Sequence, residues 1–150
     1  MKNANPKERT RFLKFATVGA IGAIIDFGIF NRIISLEITT SVVASVISFI
    51  VAVISNFFGN RFWTYPDSRT KSIHRQGLQF VLVSVMGLII RTPLFAWLEK
   101  ILINLGEKYI PAGTISPVFV GHNVALGTAI IVVMLWNFFA NRVWTYSDVE

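Results

Sequence analysis

Cysteine is absent from the 150 residues, and charge is scarce. The first absence excludes disulfides and thiolate metal sites, and it leaves the redox compartment unread. The second bears on the class of protein. Asp, Glu, Lys and Arg make up 15% of the chain, hydrophobic residues 53%, and the mean hydropathy is +0.60. A water-soluble domain carries roughly 25% charged residues, so this chain has too few to cover a surface that faces water. A Gly-rich loop ending in Lys is also missing, which argues against ATP as a direct driver. No catalytic set stands out. His74 and His122 lie far apart and are not expected to bind metal. Neither an enzyme nor a cofactor-dependent protein is expected.

What is present is apolar sequence in four runs, at about 12–34, 38–58, 78–97 and 117–140. Each is near the ~20 residues that a helix needs to cross a hydrocarbon core of about 30 Å. The second and fourth contain no charge, and the runs are apolar on all faces, unlike the striped helices of soluble proteins. The fold expected is an all-α integral membrane protein, one domain over residues 1–150. The first run follows a basic segment, as in a secretory signal, but it is long and no A-x-A site follows it.

The net charge of +6 is distributed as topology would have it. Lys2, Lys7, Arg9, Arg11 and Lys14 precede the first run, and Arg61, Arg69, Lys71 and Arg75 lie between the second and third. The other connections are balanced. Positive loops stay in the cytoplasm, so both termini and the middle loop are expected there. No basic surface is left over for nucleic acid.

The chain also repeats itself. NFFGNRFWTY (Asn56 to Tyr65) returns as NFFANRVWTY (Asn137 to Tyr146), identical at eight of ten positions with an offset of 81. FLKFATVGAIGAIID from Phe12 aligns more faintly with GLQFVLVSVMGLIIR from Gly77, at an offset of 65. The chain therefore reads as two parallel helical hairpins, about 12–65 and 77–146, and KILINLGEKYIPAGTISP reads as extra loop in the second. Parallel repeats often place a site at their interface.

That alignment pairs Asp26 with Arg91. Asp26 lies about 17 Å along the helix from Phe15, and Arg91 about 20 Å from Leu78, both close to the membrane midplane. A lone charge there costs at least ~2.5–3.5 kcal/mol, so each is the other's expected partner, and intramembrane charge marks a functional path by default. Pro93 would loosen the backbone beside Arg91. In the decapeptides, Asn56, Asn60 and Trp63 recur at i, i+4 and i+7, as do Asn137, Asn141 and Trp144, each set on one helical face. Arg61 and Arg142 follow the second Asn, and a guanidinium at headgroup depth forks onto phosphate. Amides and Trp rings at the core boundary suit a sugar edge. Ser48, Ser55, Gly19, Gly22, Gly28, Ala16 and Ala20 read as helix-packing residues.

RFLKFATVGAIGAIIDFGIF, with the two Asn-x-x-x-Asn-Arg-x-Trp-Thr-Tyr ends, resembles the GtrA-like family of small bacterial membrane proteins. The resemblance implies four helices in the cytoplasmic membrane. It also implies translocation of a polyprenyl-phosphate-linked monosaccharide for cell-surface polysaccharide assembly, with a partner glycosyltransferase inside. By the same resemblance Asn56, Asn60, Arg61, Asn137, Asn141 and Arg142 take the family's motif positions. Two other readings stay open. One is a scaffold that recruits the transferase through the loop from Arg69 to Arg75. The other is a small-molecule exporter using Asp26. A homodimer would enlarge the little volume that four helices enclose.

Overall fold

The computed structural model describes residues 6–66 and 73–140. Four helices account for most of them: α1 (Pro6–Ser35), α2 (Ser41–Gly59), α3 (Ile73–Tyr109) and α4 (Pro117–Ala140). All four contain a stretch long and apolar enough to cross a membrane: Leu13–Ser35, Ser41–Thr64, Gly77–Tyr109 and Pro117–Asn137. The protein is an all-α membrane protein.

Local chemistry sets the turns. At the end of α1 the Glu37 N–H donates to the Ile34 carbonyl and the Ile38 N–H to the Ile33 carbonyl, with Glu37 at φ 51°. This is a Schellman closure with Glu in the left-handed position that glycine usually fills. At the start of α4 the Ser116 hydroxyl accepts from the Phe119 N–H, and Pro117 occupies the first helical position, where its missing N–H costs nothing.

Two elements depart from the sequence reading. The segment read as extra loop after residue 97 is mostly helix, because α3 runs on to Tyr109. Leu98, Ile101, Leu102 and Leu105 keep helical spacing there, and Leu98 and Leu102 pack against the core, so the helix has a face to bury. It stops before Pro111, and Gly113 supplies the left-handed residue of the loop (φ 84°). The second departure follows α2. Residues Asn60–Thr64 form a π-helical turn, closed by the Tyr65 N–H donating to the Asn60 carbonyl at 2.8 Å. Such a turn inserts one residue into the α-helical register.

The helices pack as two hairpins. α1 lies mainly on α2, and α3 on α4; between the hairpins α2 meets α3 more thinly, and α1 touches α4 sparsely. The second hairpin is closed by near-backbone contact, since a Cβ on Gly121 would fall within 3.0 Å of the Ile103 nitrogen. Trp136 adds an indole N–H bond to the Val83 carbonyl at 3.1 Å. The fully buried core of Phe30, Ala44, Phe95, Ala125, Leu126 and Ala129 joins all four helices, with Phe30 and Phe95 edge to face. It lies toward the end where the loops 36–40 and 110–116 turn. Toward the opposite end the seam between the hairpins holds a cavity.

Candidate functional site

Asp26 of α1 and Arg91 of α3 meet at the base of that cavity. Two guanidinium N–H groups donate to the two carboxylate oxygens, Nη1 to Oδ2 at 2.5 Å and Nη2 to Oδ1 at 2.9 Å. α2 completes the group. The Ser48 hydroxyl donates to Asp26 Oδ1 at 2.6 Å, and Arg91 Nε donates to Ser45 Oγ at 3.2 Å. The Phe49 ring lies 5.0 Å from the guanidinium carbon. Asp26 is 3% exposed and Arg91 1%, so the charges are out of contact with lipid. A buried pair offsets its desolvation only when geometry is good and the remaining lone pairs are filled; here the serines fill them. Ser45 and Ser48 were read, if at all, as packing residues. Their spacing of three, on the face that continues to Ala52 and Asn56, is the signal that could have found them.

The cavity has a volume of about 60 Å³ and runs from this pair toward the π turn. Its polar lining is Asp26, Arg91, Asn56, Asn60 and Asn137, and its apolar lining includes Phe15, Phe49, Phe80 and Met134. Both hairpins contribute, and three expected asparagines converge here from separate stretches of sequence. Each rests where a small residue leaves room. A Cβ on Gly22 would come within 2.2 Å of the Asn56 side chain, and one on Gly87 would lie 3.7 Å from Asn137 Oδ1. Gly22 and Gly87 are related by the 65-residue offset, as are Asp26 and Arg91.

The amides differ from the charges in one respect. The side-chain oxygens of Asn56, Asn60 and Asn137 are buried and have no hydrogen-bond partner, and neither has the hydroxyl of Thr64 in the π turn. Most buried polar atoms are satisfied, and exceptions need an explanation.

Other expected site residues lie elsewhere. Trp63, expected on the face of Asn56 and Asn60, does not line the cavity; it is half exposed, with Lys14 Nζ 5.9 Å from its ring centre. Arg61, expected at headgroup depth, is 7% exposed and faces inward where the turn packs on α1. The inserted π residue explains both, because an α-helical residue subtends about 100° and the turn offsets everything after Gly59. Gly28 has nothing within 4 Å of a built Cβ, and Ala16 and Ala20 are exposed, so these do not serve helix approach within the chain as expected. Asn141, Arg142 and Trp144 lie outside the described residues, as do Arg69 and Lys71.

A second polar group, missed in the sequence, spans α1, α3 and α4 nearer the other end. Asn31 and Asn123 exchange amide hydrogen bonds at 2.8 and 3.2 Å, and His122 Nε2 lies 2.8 Å from Glu99 Oε1. All its contacts are made. Among the described residues no cluster of His, Asp and Glu could hold a metal ion.

Comparison with known proteins places this architecture. Residues 14–146 match the model of the GtrA/DPMS transmembrane domain. The chain is 26% identical over 143 residues to the uncharacterized membrane protein YngA of Bacillus subtilis, covering 95% of this chain and 84% of that one. It is 29% identical over 109 residues to the dolichol-phosphate mannosyltransferase of Pyrococcus furiosus, covering 73% of this chain. It spans 30% of that enzyme's length. No solved structure matches significantly. The family match takes in all four helices and every residue that lines the cavity, and the chain thus belongs to the GtrA/DPMS transmembrane-domain family as a multi-pass membrane protein.

Proposed function

We propose that the protein moves a polyprenyl-phosphate-linked monosaccharide from the cytoplasmic to the outer leaflet of the bacterial cytoplasmic membrane, for modification of cell-surface polysaccharide. The observation that carries this reading is a polar cavity on the seam between two hairpins of an otherwise apolar bundle. A sugar is the part of such a lipid that cannot enter hydrocarbon unaided, because unmade hydroxyl hydrogen bonds cost several kcal/mol, on the order of 2–7 for each group. A cavity of amides along the crossing removes much of that cost.

Both termini and the cavity's amide end face the cytoplasm in this proposal, following the basic residues. The polyprenyl tail stays in lipid beside the thin seam. The phosphate waits at the amide end, where Arg11 and Lys14 begin α1 and Arg61 begins the π turn. No bond is made or broken, so the role is transport and not catalysis. A membrane glycosyltransferase supplies the lipid. A second reading, a scaffold that positions such an enzyme, draws support from the relative whose name is a mannosyltransferase and of which this chain matches 30%.

The test is reconstitution of the full chain in liposomes with a short-chain polyprenyl-phosphate sugar, following the sugar's appearance on the far leaflet. Transport well above that of protein-free vesicles is expected. A folded protein that moves none of several sugars rejects the proposal, and co-purification with a transferase would then favour the scaffold.

A further inference from the structure

Asn56, Asn60 and Asn137 carry the chemistry of a ligand that the bundle itself does not satisfy. Asn60 is 3% exposed, lines the cavity, and has an unpartnered side-chain oxygen. The oxygens of Asn56 and Asn137 are in the same condition on the same cavity, one from each hairpin. A primary amide offers two donors and an acceptor. A group that satisfies it must both donate and accept. A hydroxyl does both, whereas an ionised phosphate only accepts and would leave the amide oxygens as they are.

The rest of the lining narrows the ligand further. The one cation at the base, Arg91, has both terminal nitrogens on Asp26 and its Nε on Ser45. The pair cancels its own charge and offers little to an incoming one. The walls are Phe15, Phe49, Phe80 and Met134, which suit the C–H face of a sugar ring and would strip water from a carboxylate without repaying it. The volume of about 60 Å³ admits water and is smaller than a hexose, so a sugar enters as the hairpins part along their thin seam.

Resting on the transport reading above, we infer that this cavity is the sugar subsite. It takes the uncharged, hydroxyl-rich ring of the lipid-linked monosaccharide, excludes the phosphate, and selects against sugars bearing a carboxylate.

The inference is tested by binding. The full chain in nanodiscs would be titrated with three short-chain probes: polyprenyl phosphate bearing a neutral hexose, the same lipid bearing a uronic acid, and bare polyprenyl phosphate. The wild type is expected to bind the neutral-hexose lipid at least about tenfold more tightly than either of the others, the difference that one or two good hydrogen bonds supply. Leu has the shape of Asn without its polar atoms. Asn137→Leu and, separately, Asn56→Leu are expected to abolish that preference while leaving the affinity for bare polyprenyl phosphate unchanged. Their unfolding temperature should hold or rise, because an unsatisfied group has been removed. Equal wild-type affinity for all three lipids, or equal loss for all three in the Leu variants, overturns the sugar subsite and leaves transport standing. Failure of the folded wild type to bind any of the three overturns both. The wild-type ranking needs no variant to fold.

Discussion

Asp26 and Asn56 line the same cavity, but their surroundings differ. Both oxygens of Asp26 are filled, by Arg91 and Ser48, while the side-chain oxygen of Asn56 has no partner. The charged group brings α1, α2 and α3 to one point and leaves no capacity over. The amide group brings both hairpins together and leaves capacity unmet at three side chains. In a low-dielectric interior a complete polar network rigidifies a core, and an incomplete one is costly. The difference therefore divides the labour: one cluster holds the bundle, and the other waits for something to bind.

That division can be broken most forcefully at Arg91. Arg91→Leu leaves Asp26 charged, buried and unpaired, and should cost about 3–5 kcal/mol, whereas the double variant Asp26→Leu, Arg91→Leu should recover most of it. Thermal unfolding in detergent measures both, and a single variant as stable as the wild type would show that the pair holds nothing. Ser48→Ala comes next. Loss of a hydrogen bond to a carboxylate should cost about 1.5–3 kcal/mol, visible in the same scan.

The amide side is probed at Gly22. A Cβ there would displace the Asn56 side chain, so Gly22→Ala should cost about 1–3 kcal/mol and weaken binding of the neutral-sugar lipid. Gly28→Ala, one and a half turns away with open space around it, should stabilise the protein by about 0.5–1 kcal/mol. Similar effects at the two glycines would mean that Asn56 does not depend on Gly22 for its place.

Four helices were legible because a stretch of twenty apolar residues has few other uses. The Asp26–Arg91 encounter was legible through the 65-residue offset and the cost of a lone charge in lipid. Three asparagines of the cavity were legible through the decapeptide. The serines around the charges were not, because a serine in an apolar helix reads equally as a packing residue until its partner's position is known. The helical continuation from Lys100 to Tyr109 was hidden by its charges, although its leucines keep the helical period. Asn31 with Asn123, and Glu99 with His122, pair residues that no repeat relates. The orientations of Arg61 and Trp63 were misread because an α-helical wheel carries no mark for an inserted residue.

That inserted residue has a mechanical consequence. Asn60 stands before the surplus of the π turn, and Trp63 and Thr64 stand within it. Moving the surplus by one turn exchanges one set of backbone bonds for another and rotates the intervening side chains by about 100°. α2 thus has a swivel at its end. Arg61 and Thr64 could be carried from the protein interior to its surface without unwinding the helix, and the segment that guards the cavity could turn while the helix beneath it stays still.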